Sequence, residues 1–264
     1  MKVKTLSFNF CGLPILNKKK RLELSLNELG RLKPDIIFLQ ELLFPYDARK
    51  TANFLQRLGL KSYYEKKNKI FNIGGLLIAS KFAIEEAGFE PFYDKKPLLS
   101  VYTMAEKSIT KGFLYLTVRI GQKKMSLITT HLRFKPHWEK GKFMTALHQI
   151  KEITSFFKDK KNIILGGDFN FPFSAKDNLL WLEQHGFKNV LSKETVTYNP
   201  KSFYPKSWIR MGIVDPRQIT FDHIFYKGRI KKVKSGVVFN KVFDFRKKKH
   251  RLSEHYGIEA VFEA

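Results

Sequence analysis

The chain has 264 residues, 43% hydrophobic and 14% aromatic with 25 Phe, enough for a bulky core. Lys and Arg number 49 against 24 Asp and Glu, a net charge of +25. That excess points to phosphate-rich partners, nucleic acid or anionic lipid headgroups, or to lysine runs on a solvated face. The single cysteine, Cys11, excludes an intramolecular disulfide, and no stretch reaches the ~18 apolar residues of a membrane helix.

In chain order, KVKTLSFNF alternates polar and apolar residues and reads as a strand ending at Asn9. It lacks the apolar segment of a secretory leader. Helical spacing of Leu22, Leu26 and Leu29 predicts a helix over 18–32. PDIIFLQE reads as a buried strand that starts after Pro34 and ends at Glu41. A helix over 47–59 stops at Gly59, and IGGLLIAS is a second buried strand. Residues 98–106 and 111–120 read as an antiparallel pair, followed by a strand ending at His131. Phe143, Leu147, Ile150 and Phe157 share one face of a helix over 139–157. NIILGGDFN reads as a strand broken at Gly166–Gly167, with a helix near 176–185 beyond it. TFDHIFY, KVKSGVVF and HYGIEAVF are late strands. Without linker, low-complexity block or solenoid repeat, this predicts one domain over 1–264, a mixed-sheet sandwich covered by helices. Solubility and one cysteine together predict a cytoplasmic protein.

Polar residues cluster at strand ends: Asn9, Glu41, His131, Asp168 with Asn170, Asp222, and Glu254 with His255. Rigid strands ending at one sheet edge can hold a precise site. Each residue also has a bland reading. Asp168 and Asn170 after two glycines fit a turn, Glu41 fits a helix start, and His131 fits a capped surface histidine. A lone glutamate in an apolar run is costly unless paired or metal-bound, and its oxygens suit a hard ion such as Mg²⁺. Alternation lets only one of Asp222/His223 and one of Glu254/His255 face a given side, so an Asp of one strand can orient a His of another. CxxC, HExxH, GxGxxG, P-loop and GxSxG patterns are absent, which argues against structural zinc, zinc-protease, dinucleotide, P-loop and serine-hydrolase chemistry.

NF at 9–10, LQE at 39–41, TTHL at 129–132, GGDFN at 166–170, FDHIFY at 221–226 and SEH at 253–255 occur in this order. The set resembles the endonuclease/exonuclease/phosphatase superfamily of DNase-type, metal-dependent phosphodiesterases. The resemblance implies a four-layer α/β sandwich, with two central mixed sheets flanked by helices. It implies that Glu41 binds Mg²⁺, with Mn²⁺ a possible substitute, helped by Asn9 and by Glu254 in a weaker metal role. It implies that Asp168 and Asn170 orient water and hold phosphoryl oxygens. Asp222 would pair with His255, and His131 and His255 would flank the phosphate. Where the family usually has Asp before the final His, this chain has Glu254, whose carboxylate reaches about 1.5 Å further, one C–C bond.

The expected reaction is hydrolysis of a phosphodiester, with DNA or RNA as substrate and the chain an endo- or exonuclease. RKKKHR at 246–251, Arg133, Lys135, Arg210 and Arg217 are candidate backbone contacts, and Trp138, Tyr204 and Trp208 could stack on bases or pack in the core. His131 in TTHL resembles DNase-, sphingomyelinase- and inositol-phosphatase-type members more than abasic-site endonucleases. A sphingomyelinase-like or phosphoinositide-type headgroup phosphoesterase is the alternative, and a non-catalytic basic nucleic-acid-binding protein is the third reading. Nothing in the chain marks a protein partner.

Overall fold

The computed structural model describes residues 1–65, 69–93, 110–134, 143–211, 214, 216–245 and 248–264. One six-stranded sheet contains β1 (Lys2–Asn9), β2 (Ile36–Gln40), β3 (Lys61–Tyr63), β4 (Leu77–Ser80), β11 (Lys231–Val238) and β14 (Gly257–Glu263), in the order β11-β14-β1-β2-β4-β3. The other contains β5 (Ile84–Pro91), β6 (Gly112–Ile120), β7 (Lys123–His131), β8 (Ile163–Asp168), β9 (Lys188–Asn189) and β10 (Asp222–Lys227), in the order β5-β6-β7-β8-β10-β9. Both are mixed: β1 and β2 run parallel, as do β7 and β8, and the remaining pairs are antiparallel. Phe243–Phe245 and Lys248–His250 form a small separate ribbon, β12 and β13.

Alternation along the strands sorts their side chains into layers. Phe38 and Ile78 point between the sheets, against Leu114, Leu127, Ile164 and Ile224. Their neighbours Ile37, Leu39 and Leu77 point outward, against Leu22, Leu26 and Leu29 of α1 (Lys18–Leu32) and Leu55 of α2 (Pro45–Arg57). On the far side, Ile128, Leu165 and Phe225 meet Ile150 and Ile153 of α3 (Met144–Phe156) and Leu182 of α4 (Lys176–Gln184). Three apolar interlayers between two sheets and two helical layers make the four-layer α/β sandwich expected from the motifs.

Several sequence readings are corrected. The strand at 162–170 is not broken at the glycines, because β8 runs through both to Asp168. The glycines are there for space: a Cβ on Gly166 would come within 2.5 Å of the Phe38 ring, and one on Gly167 within 2.1 Å of the Thr130 carbonyl oxygen. IGGLLIAS is strand only from Leu77, since Gly74 and Gly75 take positive φ. β6 pairs with β5 and β7. β5, with its polar IEEAGFEP sequence, had no apolar signature to find. The predicted strand at 98–106 and the first turn of the helix expected from 139 lie outside the described residues. Arg21, which closes the run NKKKR at 17–21, is 4% exposed and so does not lie on a solvated face.

Candidate active site

Strand direction gathers the polar residues at one edge. β1 and β2 deliver Asn9 and Glu41 at their carboxyl ends, and β7 and β8 deliver His131 and Asp168 at theirs. Asp222 and His255 arrive from the opposite direction: Asp222 begins β10, and His255 precedes β14. They are therefore strand starts, not the strand ends expected, and antiparallel pairing brings them to the same edge. His131, Asp168 and Asp222 are register partners across three adjacent strands, so their side chains form one row.

Asp168 Oδ2 is the hub. Asn9 Nδ2 donates to it at 3.0 Å, and the Nε2 atoms of His131 and His255 lie 3.4 Å and 3.6 Å away. Asn9 Nδ2 also donates to Glu41 Oε1 at 3.1 Å, and the Gly12 N–H donates to Glu41 Oε2 at 3.0 Å. Glu41 takes the left-handed conformation (φ 60°), a strained geometry costing ~1–3 kcal/mol for a non-glycine residue. Asn170 shares that geometry at φ 52°. Its N–H caps Asp168 Oδ1 at 3.0 Å, and its side-chain amide donates to the Leu132 carbonyl at 3.0 Å. His255 Nδ1 lies 2.9 Å from Asp222 Oδ2, while the N–H groups of Phe221 and Asp222 both donate to Thr197 Oγ1 at 3.0 Å.

Burial sets the electrostatics. It pushes the His255 imidazole down, but the charges of Asp222 and Asp168 outweigh it and raise His255 overall. Burial raises Asp168, opposed by the His255 charge and reinforced by Asp222. Burial, then the Lys111 cation, drives His131 well below the usual imidazole range. Two histidines beside one carboxylate thus favour opposite states, His255 charged and His131 neutral. This is the split an acid and a base need.

Glu254 is 8% exposed, and its Oε2 has no hydrogen-bond partner. Burial raises its carboxyl, His255 opposes this, and Glu41 adds to it. The Cys11 thiol and Tyr204 hydroxyl sit beside it, 3.7 Å from one another. Cys11 is fully buried, and burial drives its thiol up. Asp168, Asp222 and His255 place ligand-type atoms within 4.8 Å of one another, but the 2.9 Å contact between His255 and Asp222 already occupies two of those atoms. Glu41, by contrast, forms no ion pair with Lys or Arg among the described residues, and with the orphaned Glu254 oxygen it offers the all-oxygen set a hard divalent cation takes.

The remaining candidates divide. Arg133 follows β7 closely, half-buried, and its backbone N–H donates to Gln149 Oε1 at 2.9 Å. Arg210 is exposed on α5 (Lys206–Arg210), and Arg217 is half-buried on the approach to β10. Lys135, Trp138 and residues 246–247 lie outside the described residues. Tyr204 stacks on Trp208, with ring centres 5.7 Å apart.

Sequence reasoning missed two residues. Lys111, whose Nζ lies 3.5 Å from the Leu132 carbonyl oxygen, acts electrostatically on both His131 and Asp168, and nothing in TKGF marks it. Arg21 donates to the carbonyls of Phe10, Cys11, Ile15, Leu16 and Leu252, tying the loop after β1 to the residue before Ser253. Helical phase was its signal, since Arg21 neighbours Leu22 and lies one turn before the buried Ser25.

The model of the Endonuclease/Exonuclease/phosphatase family matches residues 6–255. A 173-residue stretch is 27% identical to Protein angel of Drosophila melanogaster, covering 62% of this chain and 47% of that protein, so the match spans about half the relative's length. Sphingomyelinase C from Streptomyces griseocarneus superposes with a TM-score of 0.75 at 15% identity, covering 99% of both chains. D. rerio TDP2, solved with a single-strand DNA product, superposes at 0.72 and 17% identity, covering 100% of this chain and 99% of that one.

Proposed function

Because the chain belongs to the endonuclease/exonuclease/phosphatase family of phosphoester-hydrolysing enzymes, we propose that it is a Mg²⁺-dependent phosphodiesterase acting on nucleic acid. The observation that carries the site assignment is the convergence of Asn9, His131 and His255 on one oxygen of Asp168. Glu41 would hold the cation, with Asn9 steering its carboxylate and Glu254 as a further oxygen donor. Bound there, a divalent ion supplies positive charge for the phosphoryl oxygens.

The protein's own groups do the rest. Asp168, fixed by Asn9 and by the Asn170 N–H, orients the attacking water. His131 and His255 contact the phosphoryl group, and Asp222 fixes the ring of His255 so that Nε2 faces Asp168. Lys111 adds a cation on the same side, and Arg133 continues it two residues beyond His131. The charge of +25 suits a polyanionic substrate.

A lipid substrate is the second reading. One observation favours it: the segment around α5 sets half-buried Trp208 and Ile209 and exposed Met211 among Lys206 and Arg210, a composition suited to an anionic interface. The deciding experiment incubates the protein, with Mg²⁺ or with EDTA, on plasmid DNA, abasic duplex, RNA and sphingomyelin vesicles. EDTA-sensitive cleavage of nucleic acid supports the proposal, and vesicle hydrolysis alone supports the second reading. Salt-sensitive DNA binding without turnover would show a binding protein and overturn both. Glu41→Gln should require far more Mg²⁺ for half-maximal rate, and an unchanged Mg²⁺ requirement would remove Glu41 from the metal site.

A further inference from the structure

The end of the second sheet opposite the catalytic centre holds a hollow of about 560 Å³. Strand direction places it there. Lys123 and Lys124 begin β7, whose other end is His131. Asn162 precedes β8, whose other end is Asp168. Gly228 and Arg229 follow β10, which begins at Asp222. Eight residue steps along β7 put the hollow roughly 26 Å from the centre at ~3.3 Å per step.

Its walls are cationic: Lys123, Lys124, Lys160, Lys161 and Arg229, against one acid, Asp159. Lys124 is partly neutralised by Glu85 at 3.0 Å, and Lys123 donates to the Arg229 carbonyl at 3.1 Å. Lys160, Lys161 and Arg229 have no ion pair among the described residues. The floor is fixed. Asn162 Oδ1 accepts from the Arg229 N–H at 3.0 Å, and Asn162 Nδ2 donates to the Lys124 carbonyl at 3.2 Å, so one side chain joins both turns. Gly228 sits at φ 102°, and a Cβ there would come within 2.2 Å of the Lys161 carbonyl oxygen.

We propose that this hollow is a binding site for a compact, multiply charged phosphate anion, separate from the catalytic centre. Its volume falls in the range of small-molecule sites, ~300–1,000 Å³. A concave site lined by cations from several turns on a fixed backbone suits a short polyphosphate better than a flat lysine face would. The position argues against a substrate strand: nucleic acid cleaved at Asp168 would have to cross the sandwich's length to reach it. It argues equally against a membrane contact serving lipid hydrolysis, which would turn the catalytic edge away from the bilayer.

The test uses the full chain in EDTA with sodium tripolyphosphate as probe, followed by calorimetry. Wild type should show one saturable site. Lys161→Glu/Arg229→Glu should weaken it at least tenfold, while Arg49→Glu/Arg57→Glu, the same charge change on α2, should leave it unchanged. His255→Ala should bind as wild type does. Phosphodiester hydrolysis by the Lys161/Arg229 variant should stay at the wild-type rate. The milder Lys161→Gln/Arg229→Gln pair replaces the charge reversal if that protein does not fold. Equal weakening in both charge-reversed proteins would reduce the effect to diffuse attraction and overturn the proposal. Loss of binding in His255→Ala would move the anion to the catalytic centre and also overturn it. A parallel tenfold loss for a single-stranded oligonucleotide would make the hollow part of a nucleic-acid surface, with the same consequence.

Discussion

His255 Nδ1 lies 2.9 Å from Asp222 Oδ2, a contact that joins the two sheets of the sandwich. His255 leads into β14 of the first sheet, and Asp222 opens β10 of the second. The acid–imidazole pair is therefore also a measure of how the sheets are docked, and its geometry depends on both.

If the pair handles protons, His255→Ala should lower the rate on bis(p-nitrophenyl) phosphate by ~10²–10⁴-fold with the fold retained. Asp222→Asn should also lower it, because the amide replaces the charge that raises His255. Rates compared on variants with wild-type circular dichroism check this. Normal turnover by folded His255→Ala would remove the residue from the reaction.

Arg21 is the hidden brace of the site loops. Arg21→Met strands the buried Phe10, Cys11 and Leu252 carbonyls and should cost on the order of 3 kcal/mol of stability in urea unfolding. Arg21→Lys should recover only part, because an ammonium cannot reproduce the planar fork. Full recovery by lysine would mean that charge, not geometry, holds the loops.

The β7–β8 contact leaves no room for a methyl group at Gly167. Gly167→Ala should push Asp168 off its register with His131, lowering both melting temperature and rate. Gly236→Ala, where a Cβ would meet nothing within 4 Å, should change stability by less than ~0.5 kcal/mol. The comparison is read from thermal melts of the two variants and wild type.

His223, the neighbour of Asp222, faces away from the site, between the Phe171 carbonyl oxygen and Asn189. Burial lowers its imidazole to about 4. Unfolding frees it to take a proton near pH 6.5, so its effect is absent above that pH and grows as pH falls towards 4. The native state should lose on the order of 3 kcal/mol from this group across that window. A His223→Gln variant should show a shallower fall in urea stability between pH 6.5 and 4. An identical slope would mean that His223 is protonated in the native state.

Alternation and apolar spacing determined a good deal in advance. They placed α1 over its observed residues, set β1, β2, β7 and β10 within a residue or two, and required Asp222 and His223 to face opposite sides. The motif order added the four-layer sandwich. These are local signals, readable because a side chain's facing depends on its neighbours along the chain. Only the tertiary structure decided that Asp222 and His255 enter from strand starts, that Arg21 lies buried within a lysine run, and that Lys111 stands beside His131. It also placed a cationic hollow at the far end of the same strands. Those facts depend on sheet order, strand direction and register, which bring together residues such as Asn9 and Asp168, 159 positions apart.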